Sequence, residues 1–492
     1  MDAEVTLGDV DLATVKARSL TGVVTLISRS FLIKIISTVG LAILWGYLGP
    51  AEFGLFVVFN ELVAILSYFS DIGLAASLIQ KKDEITLSDL RTTFTIQQVL
   101  VSLLIVVTLI LSPRLISYYD LSPHGVLLLY SLLAGFFLAS LKSIPSIVLE
   151  RRLRFEILAG VEIVETLVFY GSLIFLAVKG QGILSYVWAV LLRGLVGTAM
   201  IYLLSPWQMG FSFSRPSLKR LLTFGIPFQL NTFIAVIKDR LLIVFLWKII
   251  GASGVGLIGS AQTLSQKPLR FIMDNVTKVT FPGFSRLQDH PVELKKAVEK
   301  TLFFVSLATF PILAGITLLV PVIIQIYPRY AKWQPALLAL ALYCFNSAWA
   351  AISTPLTNVL NALGKVKINT YLMIMWTALA WILSPLMAIR YGFDGVAWAT
   401  AIISFTSIIP IYIVKKITKF DLSSSVLKPL IATICMLPVT QTLARLLPAN
   451  IYFLAVNITT SALVFSIAIF ILVGPALIAD VRHFYHALDS KK

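Results

Sequence analysis

Leu44-Trp45-Gly46-Tyr47-Leu48-Gly49-Pro50-Ala51-Glu52-Phe53-Gly54-Leu55 reads as the end of one apolar helix, a Gly-Pro turn and the start of the next. The spacing returns 202 residues later in Leu246-Trp247-Lys248-Ile249-Ile250-Gly251-Ala252-Ser253-Gly254-Val255-Gly256-Leu257. Extended without a gap, residues 18–56 match 220–258 at ten of 39 positions, among them Arg18/Arg220, Phe31/Phe233, Trp45/Trp247, Gly49/Gly251 and Gly54/Gly256. That is roughly twice what a shared apolar composition gives, so the chain reads as an internal duplication. Six helices separate the copies, an even number, which inserts both halves the same way and relates them by a pseudo-twofold along the membrane normal.

Outward from this hairpin the composition is that of an integral membrane protein. Of 492 residues, 58% are hydrophobic and 13% charged, with a mean hydropathy of +0.90. A soluble domain carries roughly a quarter of its residues as charge, and apolar runs of about 20 residues cross a bilayer as helices. Runs bounded by charge, Pro or Gly place spans at 21–48, 53–79, 94–111, 125–149, 157–178 and 183–204, then 222–250, 255–284, 302–326, 336–360, 368–389 and 395–414, and a last pair at 426–447 and 451–473. The expected fold is an all-α polytopic membrane protein of about fourteen transmembrane helices. It divides into a tail (1–20), a six-helix bundle (21–210), a second six-helix bundle (211–415), an extra helix pair (416–475) and a second tail (476–492). At about 35 residues per crossing no room is left for an added catalytic domain, so an enzyme is not expected.

Forty Lys and Arg against 24 Asp and Glu give +16. In a soluble chain that surplus would suggest nucleic acid; here it sorts by loop. One face holds 24 basic residues in its loops and tails, and the other holds Arg114, Lys179, Lys248, Arg329, Lys332, Arg390 and Arg445. Basic loops stay in the cytoplasm, so both termini are expected there and no nucleic acid partner is needed. Asp2, Glu4, Asp9 and Asp11 precede the first Lys, the reverse of a secretory signal, and no cleaved leader is expected. Cys344 and Cys435 lie inside apolar runs and read as packing residues.

Nine basic residues fall inside the proposed spans: Arg29, Lys34, Lys142, Arg193, Lys238, Arg240, Lys267, Arg270 and Lys278. Each costs roughly 2.5 to 3.5 kcal/mol at a helix centre, so together they cannot face lipid. They either pair with acids and lock helices together or line a wet cleft. Six acids share their depth, Glu61, Asp71, Glu162, Glu165, Asp239 and Asp274, which leaves the interior net positive and suited to an anion. Ser260, Thr263, Lys267, Arg270, Asp274 and Lys278 recur at spacings of three and four and form one helical stripe. The candidate anion-binding cations are Arg29, Arg240, Lys267, Arg270, Lys238 and Lys34. Glu162 and Glu165 are one turn apart, where two carboxylates in low dielectric could share a proton or hold Na⁺; Glu61, Asp239 and Asp274 join them as ion-coupling candidates. The competing reading pairs Glu162 and Glu165 with Arg151, Arg152 or Arg154. Asp9-Val-Asp11 and the His483/His486 pair are weak metal motifs, and no cofactor is expected.

The turn Leu48-Gly-Pro-Ala-Glu-Phe-Gly54 resembles that of the polysaccharide transport family, the Wzx-type oligosaccharide flippases of the multidrug/oligosaccharidyl-lipid/polysaccharide superfamily. Asp71-Ile-Gly73-Leu, Gln80, Phe281-Pro-Gly-Phe-Ser-Arg-Leu-Gln288, Asn361-Ala-Leu-Gly-Lys365, Tyr391-Gly392 and Gly395-Val-Ala397 follow in the same order over residues 15 to 415. The resemblance implies a flippase of the bacterial inner membrane that carries an undecaprenyl-diphosphate-linked oligosaccharide by alternating access of a cationic cavity. Arg29, Arg240, Lys267 and Arg270 resemble the family's cationic cleft residues in placement. A polysaccharide polymerase or export machinery is a candidate partner, and a proton or Na⁺, from the Glu162/Glu165 pair, a candidate counter-ion. A multidrug exporter of the same superfamily would move organic cations and want an acid-rich cleft, which the positive interior opposes. A membrane polymerase would need a large outer loop, and the longest, at about 112–124, is too short.

Overall fold

The computed structural model describes the backbone of residues 12–81, 85–236 and 240–489, and every regular element among them is helical. The chain divides into two compact units, 1–253 and 254–492.

In the first unit the helices are α1 (Leu12–Tyr47), α2 (Pro50–Asp71), α3 (Leu74–Gln80), α4 (Leu87–Tyr119), α5 (Pro123–Leu141), α6 (Ser143–Arg151), α7 (Phe155–Val178), α8 (Leu184–Leu204), α9 (Arg215–Val236) and the first part of α10 (Leu242–Arg286). α7 packs on both α1 and α8, α8 in turn on α5, and α2 and α4 on α5. α3 and α4 also bear on α9, around a core of Leu74, Leu78, Phe94, Ile144 and Leu221. The turns follow from local chemistry. Gly49 N–H donates to Glu52 Oε2 at 2.6 Å and Pro50, which has no N–H to satisfy, opens α2, so the first two positions of the helix start leave no orphan donor. Thr86 and Asp89 form a reciprocal capping box at the start of α4. Ser122 accepts from Gly125 N–H, with Pro123 opening α5.

The second unit holds the rest of α10, α11 (Pro291–Ile326), α12 (Leu337–Ala362), α13 (Val366–Ser404), α14 (Ile408–Thr418), α15 (Lys428–Leu446) and α16 (Ile451–Asp489). α11 is the hub, against α12 and α15, with Leu302, Val305, Leu356, Val359 and Leu360 fully buried. The final pair is zipped by polar side chains. Asn457 Nδ2 donates to Thr440 O at 3.1 Å, Ser461 Oγ donates to Asn457 Oδ1 at 3.1 Å, and Thr440 and Ser461 hydroxyls meet at 2.7 Å. Small hydroxyl and amide groups are what hold helices together where lipid removes the hydrophobic drive.

Several boundaries differ from the sequence reading. Twelve helices among the described residues are long and apolar enough to cross a membrane, against the fourteen expected. The difference lies in continuity. Residues 366–418 count once but carry expected spans eleven and twelve, which meet at Gly392 (φ 61°). Expected spans seven and eight meet at Gly251 (φ 71°), inside the 45-residue α10, and α9, the first part of span seven, is outside the twelve. The second span, expected unbroken over 53–79, is interrupted at Ile72 and Gly73, both in the left-handed region. α4 runs through Pro113 to Tyr119, so its connection to α5, expected as a loop over about 112–124, is residues 120–122. Residues 12–20 and 476–489, expected as tails, are helical extensions of α1 and α16. The Asp9/Asp11 motif lies outside the described residues.

Candidate functional site

The cations of the first unit are positioned by helix packing and matched to acids on neighbouring helices. Arg29, on α1, reaches α7, where its Nη1 lies 3.2 Å from Glu162 Oε2. Arg240 Nη1 lies 2.7 Å from Glu61 Oε2 on α2. Glu165, one turn beyond Glu162 and about 60° round the helix from it, meets other partners. It is gripped by Lys142 Nζ, from the α5–α6 junction, and by Arg193 Nε at 3.6 Å from α8. Its side chain is 5% exposed. The two carboxylates that the sequence places together therefore rest on three different cations, none of them Arg151, Arg152 or Arg154.

Gly197 makes the Glu165 site fit. A methyl group at that position on α8 would overlap the Glu165 carboxylate, so only glycine lets the acid lie against the helix backbone. Arg193 also lies 5.7 Å from the Phe169 ring. Sequence reasoning counted Lys142 and Arg193 among the intramembrane cations without assigning them this partner. The signal available was the Arg193-Gly-Leu-Val-Gly197 spacing, with a small residue one turn from a cation.

Other predicted residues sit as follows. Lys34 is half-buried on α1, one turn and a half beyond Arg29. Lys238 and Asp239 lie outside the described residues. In the second unit, the stripe on α10 grades from buried Ser260 through half-buried Thr263 and Lys267 to exposed Arg270, Asp274 and Lys278. The single face inferred from the spacing thus emerges from the helix core toward its accessible end, past Pro268. The structure brings Arg29 to Glu162 and Arg240 to Glu61; it places Lys267, Arg270 and Asp274 on one helix. The two histidines of the C-terminal stretch lie on α16, in a segment whose side chains are outside the description.

A further cluster, not singled out from sequence, ties four helix ends together. Asp89 is 1% exposed; Lys81 Nζ donates to it at 2.7 Å and Arg220 approaches at 3.8 Å. Arg151 Nη1 donates to the carbonyls of Leu78 and Lys81 at 2.8 and 2.6 Å. Three basic residues, Lys81, Arg151 and Arg220, are thereby committed to holding α3, α4, α6 and α9 in register.

A family profile described as polysaccharide biosynthesis protein matches residues 43–337. The chain is 25% identical over 380 residues to the teichuronic acid biosynthesis protein TuaB of Bacillus subtilis (strain 168), covering 74% of this chain and 76% of that one. It is 25% identical over 331 residues to the lipopolysaccharide biosynthesis protein WzxC of Escherichia coli (strain K12), covering 65% and 64%. Among solved structures, the lipid II flippase MurJ in an inward closed conformation superposes with a TM-score of 0.74 at 14% identity, over 92% of this chain and 99% of that one. With a profile spanning more than half of its length and a shared helical architecture, the chain belongs to the polysaccharide biosynthesis protein family and has the fold of the multidrug/oligosaccharidyl-lipid/polysaccharide superfamily.

Proposed function

We propose that this multi-pass membrane protein flips an undecaprenyl-diphosphate-linked oligosaccharide from the inner to the outer leaflet of a bacterial inner membrane, with both termini cytoplasmic. The observation that carries the reading is the placement of guanidinium and ammonium groups inside apolar helices, Arg29 and Arg240 in the first unit and Lys267 and Arg270 in the second. A diphosphate leaving the headgroup layer loses its water and needs charge-assisted donors, which arginine supplies in bidentate form. The glycan requires a hydrated path, whereas the polyprenyl tail stays in hydrocarbon. The duplication read from the Trp-x3-Gly-x4-Gly hairpin supports alternating access, one half moving against the other. Family membership supports a transporter role over catalysis, with the glycan polymerase or export machinery downstream and a proton or Na⁺ as the exchanged ion, Asp239 and Asp274 being its remaining candidate carriers. Glu61, Glu162 and Glu165 each rest on a cation, which opposes a site for organic cations.

Deleting the protein is expected to leave lipid-linked oligosaccharide accumulated on the inner leaflet, read by accessibility to a membrane-impermeant glycan probe in right-side-out vesicles. The quadruple variant Arg29→Ala/Arg240→Ala/Lys267→Ala/Arg270→Ala is expected to reproduce the defect while inserting normally. Normal surface glycan in that variant rejects the site assignment.

A further inference from the structure

The acids inside the first unit are held in two different ways. Glu165 is enclosed, gripped by two cations and backed by the α8 backbone at Gly197. Glu162, one turn away, has a 48% exposed side chain and a single cation at 3.2 Å. Its partner Arg29 uses Nη1, while the Arg29 Nε is enclosed with no hydrogen-bond partner among the described residues. A guanidinium can grip one anion through two parallel N–H bonds, so the Arg29 fork is half used. The Arg240 side chain is 40% exposed and is likewise held through Nη1. A permanent clamp looks like Glu165; the other two pairs are open to a competitor.

We propose that Glu162 and Glu61 are resident counter-ions of Arg29 and Arg240, and that the diphosphate of the substrate takes their place on the guanidiniums. The proposal rests on the flippase reading above and assigns these two acids a role as positioning residues within it. An uncompensated arginine in a membrane helix is costly, so a site that must stay empty between cycles needs an internal anion. A single carboxylate carries one negative charge and a diphosphate carries more, with more acceptor oxygens, so the exchange runs toward substrate while the empty site keeps a counter-ion. The pairs also lie at different depths. Glu162 is two turns from the start of α7, and Glu61 is near the middle of α2. With both termini cytoplasmic, an entering headgroup meets the Arg29 station first and the Arg240 station second, each holding its carboxylate until the substrate displaces it.

The test titrates purified full-length protein in lipid nanodiscs with inorganic pyrophosphate, and follows folding by thermal unfolding of the same samples. Removing a competing carboxylate is expected to tighten pyrophosphate binding about two- to fivefold in Glu162→Gln and in Glu61→Gln, the worth of a partly exposed pair. Arg29→Gln and Arg240→Gln are expected to weaken it. If the folded Glu→Gln variants bind no tighter than the parent while the Arg→Gln variants lose binding, the exchange is overturned and the cationic site survives. If none of the four variants changes binding, both are overturned. Unfolding of both Glu→Gln variants makes the acids structural clamps and also overturns the exchange.

Discussion

At Glu165 a single missing Cβ decides whether a charged residue can be kept inside a membrane helix bundle. The carboxylate occupies the space that any side chain at Gly197 would take, and from there it neutralises Lys142 and Arg193 at once. Gly197→Ala is expected to push the acid off its partners and to destabilise the first unit by about 3 kcal/mol, the usual cost of breaking a buried ion pair. A lowered midpoint of thermal unfolding in detergent checks this, and an unchanged midpoint rejects the clamp. Two of the sequence-derived cations, Arg29 and Arg240, could be chosen from charge and hydropathy alone, because a guanidinium inside an apolar run demands a partner. Which partner could not be read. Glu162 and Glu165 look equivalent at a spacing of three, and the rotation of α7 alone sends one to Arg29 and the other to Lys142 and Arg193.

Between elements, the contact of α3 with α9 depends on backbone meeting backbone. The chain breaks at Ile72 and Gly73, and Ser77 Oγ on α3 donates to Leu221 O on α9 at 2.7 Å. A Cβ at Gly225 would lie 2.7 Å from Ile72 O and 3.0 Å from the Gly73 carbonyl carbon. Gly225→Val is expected to force α9 away from the break and cost about 1 to 3 kcal/mol by overpacking. Faster amide exchange at Ser77 and in the Leu74–Gln80 helix would report it. The Asp71-Ile-Gly73 motif was legible as a family signature, but its meaning as a helix break was not, since apolar residues continue on both sides. At the start of the α15 span, Asp421 accepts from Ser423 and Ser424 N–H at 3.0 and 3.1 Å. Those bonds, led by the one from Ser423, hold its carboxyl below the ordinary value of 3.8. A depressed carboxyl stabilises the fold above its unfolded value and loses that contribution as pH falls through its folded value. Protection of the Ser423 and Ser424 amides, corrected for intrinsic exchange, is therefore expected to hold at neutral pH and fall below about pH 4. Asp421→Asn should show no such step.

For the molecule as a whole, the division of Lys and Arg among loops predicts both termini in the cytoplasm. Fluorescent reporters that mature in the cytoplasm should be active at either end, and a periplasm-dependent phosphatase should be active after residue 121 but not after residue 289; the reverse pattern would invert the transport direction proposed here. Sequence by itself determined the membrane class, the all-helical architecture, the loop asymmetry and the family, because each follows from apolar run length, charge position or short turn motifs, all local along the chain. Only the tertiary structure decided that Glu165 is locked against Gly197, that Glu162 and Glu61 serve Arg29 and Arg240, and that Asp89 and Arg151 together tie four helix ends. Those facts depend on which faces of distant helices meet, and helix rotation in an apolar solvent leaves little periodicity in the sequence to read. Lipid outside and protein inside are both apolar, so a side chain's address is set by packing and not by its hydropathy.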